Sequence, residues 1–178
     1  SQIEDIIKLE ELTKDFGNAL HELISISIKE EAGLNSSLYK DKLATLIAKN
    51  PDIFGVGLEK EWEYKIAEII KSITSFVLKT GTPITELTLM SGKNDKAQLK
   101  GRIDLIAVDG NGNAHIFDIK ISKKPYEEWD DVKLLTLDWQ LALYRQLLSK
   151  HIDVKNTLLY VLPIQLETLK DPKSLHYI

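Results

Sequence analysis

The chain has 178 residues, 43% hydrophobic and 28% charged, with a formal charge of −4 and no cysteine. That size supports one well-formed core and predicts a single domain over 1–178, while the acidic balance excludes a strong non-specific polyanion binder, because phosphate affinity grows with the cations a protein presents. Without cysteine there are no disulfides, cysteine zinc sites or four-cysteine iron–sulfur clusters, and without a long apolar run or a signal-peptide layout the expectation is a cytoplasmic, intracellular protein that does not touch membrane.

Ser1 stands where a methionine would open a complete chain, as expected of a processed end or a domain from a larger protein. Ile3, Ile6, Ile7, Leu9, Leu12, Phe16, Leu20, Leu23 and Ile24 recur at helical period over residues 2–31, and Asp15-Phe16-Gly17-Asn18 suggests an interruption. A second helix starts from a Ser36 or Ser37 cap and ends near Lys49, since Asn50 precedes a proline and avoids the helical region. Trp62, Ile66, Ile69, Ile70, Ile73 and Val77 predict a third helix over 55–79, completing a helical part over 1–80. Thr80-Gly81-Thr82-Pro83 closes that helix. Ile84 to Met90 then alternates as a strand carrying Glu86, and residues 91–98 form a polar loop.

Residues 101–120 read as a β-hairpin, two β-branched runs flanking Asp109-Gly110-Asn111-Gly112-Asn113. Alternation puts Arg102, Asp104, Ile106 and Val108 on one face of the first strand and Ile116, Asp118 and Lys120 on one face of the second. An odd loop centred on Asn111 sets Asp104 across from Asp118 and Arg102 across from Lys120. A two-residue turn would instead send the carboxylates to opposite faces. Opposed carboxylates repel, so the odd register calls for a divalent cation between them, and a hard oxygen-ligand site suits Mg²⁺ or Mn²⁺.

Beyond a loop at residues 122–126, Leu134, Leu137, Leu141, Tyr144 and Leu148 predict a helix over 127–150, with Gln140 on or beside its apolar stripe. A buried amide left without a partner costs about 1 to 3 kcal/mol, so a hydrated metal or a substrate phosphate is expected beside Gln140. Residues 156–163 read as a strand running parallel to the one before the helix, which places the sheet and its crossover helix over 84–163. The tail from Gln165 shows no element, and His115, His151 and His176 have no metal-ligand spacing and read as structural or solvated.

Asp104, then Asp118-Ile119-Lys120 on the paired strand, resembles the signature of the PD-(D/E)XK nuclease superfamily, and Gly101-Arg102-Ile103-Asp104 resembles its RecB-like branch. Two further stretches share that likeness. Gly17 to His21 is similar to the Gly-x-x-x-His helix of the branch, and Gln140 to Tyr144 to its Gln-x-x-x-Tyr element. The resemblance covers about residues 17–162 and implies a restriction-endonuclease-like α/β core, a mixed sheet flanked by helices.

It also implies a Mg²⁺- or Mn²⁺-dependent deoxyribonuclease, working as an exonuclease in repair, recombination or phage DNA processing beside a helicase or recombination protein. Its metal ligands would be Asp104, Asp118, the main-chain carbonyl of Ile119, His21 and Glu86. Lys120 would orient or activate the attacking water, with Gln140 and Tyr144 in the catalytic set. Lys100, Arg102, Lys123 and Lys124 are candidate phosphate contacts, and Tyr126 or Trp129 a stacking surface for an unpaired base. Two rivals stand beside this. A calcium loop at Asp109, Asn111 and Asn113 fails because Ala114 replaces the turn glycine and Lys120 the bidentate acid. The other is an inactive nuclease-like fold that only binds DNA or protein.

Overall fold

A computed structural model describes residues 1–90, 100–122, 124–166 and 171–177. Its contacts divide the chain into two compact units, one of Ser1–Ser75, Ile119–Pro125 and Leu162–Ile178, the other of Phe76–Asp118 and Tyr126–Val161.

In the first unit α1 spans Gln2–Lys29 behind a capping box, in which the Ser1 hydroxyl accepts the Glu4 N–H and the Glu4 carboxylate takes the Ser1 amine. The interruption expected near Gly17 does not occur. Phe16 and Leu20 are buried on either side of that glycine, and a Cβ there would already touch Ile121 at 3.4 Å. Close packing on that face offsets the roughly 1 kcal/mol a helical glycine costs. After a single 3₁₀ turn, Ser36 caps α2 (Ser37–Lys49) through the Tyr39 N–H.

Asn50-Pro51 ends α2 as expected but also begins a short α3 (Pro51–Phe54), because proline at the first helical position gives up only an N–H that had no partner there. Gly55 and Gly57 take positive φ, so α4 runs over Glu59–Thr80, starting later than the periodicity alone predicts. Edge-on contacts of Phe54 with Phe16 and Trp62 knit this unit's core.

In the second unit β1 (Thr82–Met90) pairs antiparallel with β2 (Lys100–Val108). Gly81 admits this pairing, since a Cβ on it would stand 2.4 Å from the Val108 carbonyl oxygen. From β2 the chain turns into β3 (Ala114–Ser122). The expected 127–150 helix is divided: a 3₁₀ turn at Tyr126–Glu128 precedes α5 (Asp131–Ser149), whose first turn Asp130 caps through the Lys133 N–H. Tyr144, Leu147 and Leu148 of α5 join Leu89, Ile103, Ile106 and Ile116 in one core. Gly101 sits beneath that contact, where a Cβ would lie 2.8 Å from Leu147 Cδ1 and 3.5 Å from the Tyr144 ring.

β4 (Thr157–Leu166) follows β3 in the same direction: the Ala114 N–H donates to Asn156 O, and farther along Phe117 stacks on Tyr160. A short β5 (Leu175–Tyr177) pairs antiparallel with β4, a fifth strand in the tail that showed no pattern. The sheet order is β1-β2-β3-β4-β5, a mixed sheet flanked by helices with a helical N-terminal part, as expected.

Candidate active site

The hairpin carries its register from the loop. Ile106 pairs with Ile116, Ala107 with His115 and Val108 with Ala114, the odd five-residue loop that brings Asp104 toward Asp118.

Asp109 fixes that loop. Its Oδ1 accepts the backbone N–H groups of Asn111 and Asn113, each at 2.9 Å, and its Oδ2 meets the Asn113 side-chain amide at 3.0 Å and His115 Nε2 at 2.8 Å. The buried His115 ring reaches the Tyr160 hydroxyl through Nδ1 at 2.9 Å. The His115 hydrogen bond, then those from Asn113 and Asn111, hold the Asp109 carboxyl well below the usual carboxylate range. Gly112 takes φ +80°, a conformation that side chains rarely adopt.

At the other end of the same strands Tyr144 projects from α5, 9% exposed. Its hydroxyl donates to the Arg102 carbonyl at 3.0 Å and accepts from Gln140 Nε2 at 2.8 Å. Burial raises the Tyr144 ionisation, the charges of Asp118 and Asp104 raise it further, and the Gln140 hydrogen bond works the other way. Both carboxylates therefore act on one hydroxyl. Gln140 finds its partner there, in a protein side chain, where a metal or phosphate had been expected.

Asp104 is partly exposed and takes Arg102 Nε at 3.0 Å, so Arg102 serves here as the cation of a neighbouring acid. Asp118 Oδ2 is buried. Burying a carboxylate oxygen is unfavourable in proportion to its charge, which a divalent cation would offset. Asp104 and Asp118 offer carboxylate oxygens, and with no thiolate in the chain this pair fits a hard ion of the Mg²⁺ or Mn²⁺ kind. Among the described residues no three His, Cys, Asp or Glu side chains gather as a metal cage.

Ile119 and Lys120 follow Asp118 along β3. Ile119 is buried and Lys120 half-buried, and alternation gives Lys120 the same strand face as Asp118. His21 is a half-buried residue of α1. Glu86 lies in β1 between the pairs Thr85–Leu105 and Leu87–Ile103, level with Asp104 on the next strand; its side chain is outside the described residues. So are Lys123 and the Lys100 side chain. Lys124 and Tyr126 are exposed. Trp129, in contrast, is buried, with Tyr126 against its ring at 5.1 Å and Lys133 Nζ 3.9 Å from the ring centre, so it is a packing residue and offers no stacking platform.

Periodicity did not single out Asp109, His115 and Tyr160 as a unit. The signal was an aspartate opening a loop rich in asparagine, with a histidine on the returning strand.

The family model described as the PD-(D/E)XK nuclease superfamily matches residues 2–178. No curated protein matches the chain.

Proposed function

Because the chain belongs to the PD-(D/E)XK nuclease superfamily, whose members are generally nucleases using divalent metal ions, we propose that it is a Mg²⁺- or Mn²⁺-dependent deoxyribonuclease of the RecB-like branch, acting from DNA ends. Repair, recombination or phage DNA processing is the proposed setting, with a helicase or recombination protein as partner. The observation that carries this reading is the Tyr144 hydroxyl, held by Gln140 within the field of both Asp104 and Asp118.

A phosphodiester is anionic and repels nucleophiles, so its hydrolysis needs positive charge at the phosphate and a positioned water. Asp104 and Asp118 would hold the cation, with the Ile119 carbonyl, Glu86 and His21 as further ligands. When bound, such an ion neutralises phosphate charge and makes water more acidic. Lys120, two residues past Asp118 on the same strand face, orients the attacking water. Tyr144, protonated at neutral pH as an ordinary tyrosine is, donates to the Arg102 carbonyl and so fixes the main chain that carries Asp104. Arg102 can exchange Asp104 for a substrate phosphate, which its planar fork accepts equally well. Lys100, Lys123, Lys124 and Tyr126 are the proposed remaining DNA contacts.

The test incubates linear and circular DNA, single- and double-stranded, with wild type and Lys120→Ala in Mg²⁺, Mn²⁺ or EDTA. Metal-dependent loss of linear substrate by wild type alone supports an exonuclease, and loss of circles as well indicates an endonuclease. Intact DNA with both proteins would favour a nuclease-like fold that only binds.

A further inference from the structure

The outward face of α5 carries an apolar seam that none of the described residues covers. Val132 is 74% exposed, Leu135 56% and Trp139 74%, and Ala142 and Gln146 continue the line, exposed as well. Positions 132, 135, 139, 142 and 146 alternate by three and four residues, the spacing of a coiled-coil seam. This face looks away from Gln140, Tyr144 and Leu148, which point toward the sheet core.

The charges beside the seam select its occupant. Asp131, Asp138 and Arg145 follow one another at seven-residue intervals along one flank, all exposed, acidic toward the start of the helix and basic toward its end. In an antiparallel pair of identical helices each flank meets itself reversed. Asp138 of one copy then meets Arg145 of the other, twice about the two-fold axis, and the helix dipoles oppose favourably. The same alignment lays Trp139 of one copy near Ala142 of the other, a large side chain against a small one. In a parallel pair Arg145 would face Lys150 of the other copy across the seam. Arg145 gives one donor to the Thr157 carbonyl at 3.0 Å, and its guanidinium carries five.

We propose that this face of α5 docks a second copy of the same chain in antiparallel fashion, through Val132, Leu135, Trp139 and Ala142, with paired Asp138–Arg145 contacts. The apolar surface offered is on the order of a few hundred Å² per copy, below the roughly 800 Å² per partner of a standard interface. Association is therefore weak and concentration-dependent. It does not rest on the hydrolytic reading.

Sedimentation equilibrium across a concentration series tests this. Wild type should rise from the 20.2 kDa monomer toward twice that mass, and Trp139→Glu should stay monomeric with an unchanged melting curve, since Trp139 is exposed. Asp138→Arg and Arg145→Asp should each weaken association about tenfold, and the double swap should restore it. A wild type monomeric up to about 1 mM, a Trp139→Glu variant that associates normally, or a double swap that fails to recover would each overturn the proposal. So would a monomeric wild type whose affinity for single-stranded oligonucleotide falls in Trp139→Glu, which would make the seam a nucleic-acid contact.

Discussion

The two ends of the β2–β3 hairpin hold aspartates in opposite circumstances. At the loop end Asp109 receives two backbone N–H groups, an asparagine amide and His115, and its ionised form is stabilised from within the protein. At the other end Asp104 and Asp118 bring their charges onto a tyrosine hydroxyl already strained toward neutrality by burial, and one carboxylate oxygen of Asp118 is buried. One end is closed by hydrogen bonds within the protein and sets the register; the other gathers two carboxylates, one of them paired with Arg102, where a divalent cation would add further compensation. A rigid, compensated clasp can thus keep a costly arrangement in place nearby.

Breaking the charged end should have the largest effect on activity. Asp118→Asn should lower metal-dependent DNA cleavage by at least about 100-fold while moving the melting temperature little, measured by single-turnover digestion beside calorimetry. Gly101→Ala should come next, through stability: a Cβ 2.8 Å from Leu147 Cδ1 in a filled core must displace that leucine side chain, at about 1 to 3 kcal/mol by denaturant titration.

Breaking the clasp sharpens the contrast through pH. The Asp109 carboxyl is held below its unfolded value, so its contribution is full above about pH 4 and is lost as pH falls through the folded value. Asp109→Asn should melt lower than wild type at neutral pH, and the gap should narrow in acid. Tyr144 has the opposite sign: its contribution is present below the ordinary tyrosine range and lost as pH rises through the raised folded value. Ca²⁺ should lower the Tyr144 ionisation by neutralising Asp104 and Asp118, seen as a metal-dependent ultraviolet titration step missing from Tyr144→Phe. The smallest effect should be that of Arg102→Ala on stability, at most about 1 kcal/mol by thermal melting, because this ion pair is largely exposed.

Much of the charged end was legible in the sequence because it obeys local rules. Alternation assigned Asp104, Asp118 and Lys120 to their strand faces, and a shared face for the two carboxylates required an odd loop in place of a two-residue Asn111-Gly112 turn, the register that the Ile106–Ile116 pair follows. The clasp was not legible, because Tyr160 joins His115 only once β4 lies beside β3, a contact across 45 residues. Gln140 needed a partner, and which one depended on how α5 lies on β2. Two short elements escaped for a different reason: α3 is a single turn begun by a proline that elsewhere ends helices, and β5 is a brief strand whose pairing with β4 defines it. Gly17 pointed to a break in α1 because composition shows its conformational freedom and hides its packing against Ile121.

Calorimetric titration of Mn²⁺ into wild type, Asp104→Asn and Asp118→Asn, each verified as folded by thermal melting, reads the charged end most directly. Saturable binding to wild type that both variants lose at unchanged fold is the predicted result; equal affinity in all three proteins would contradict a cation held by these two carboxylates.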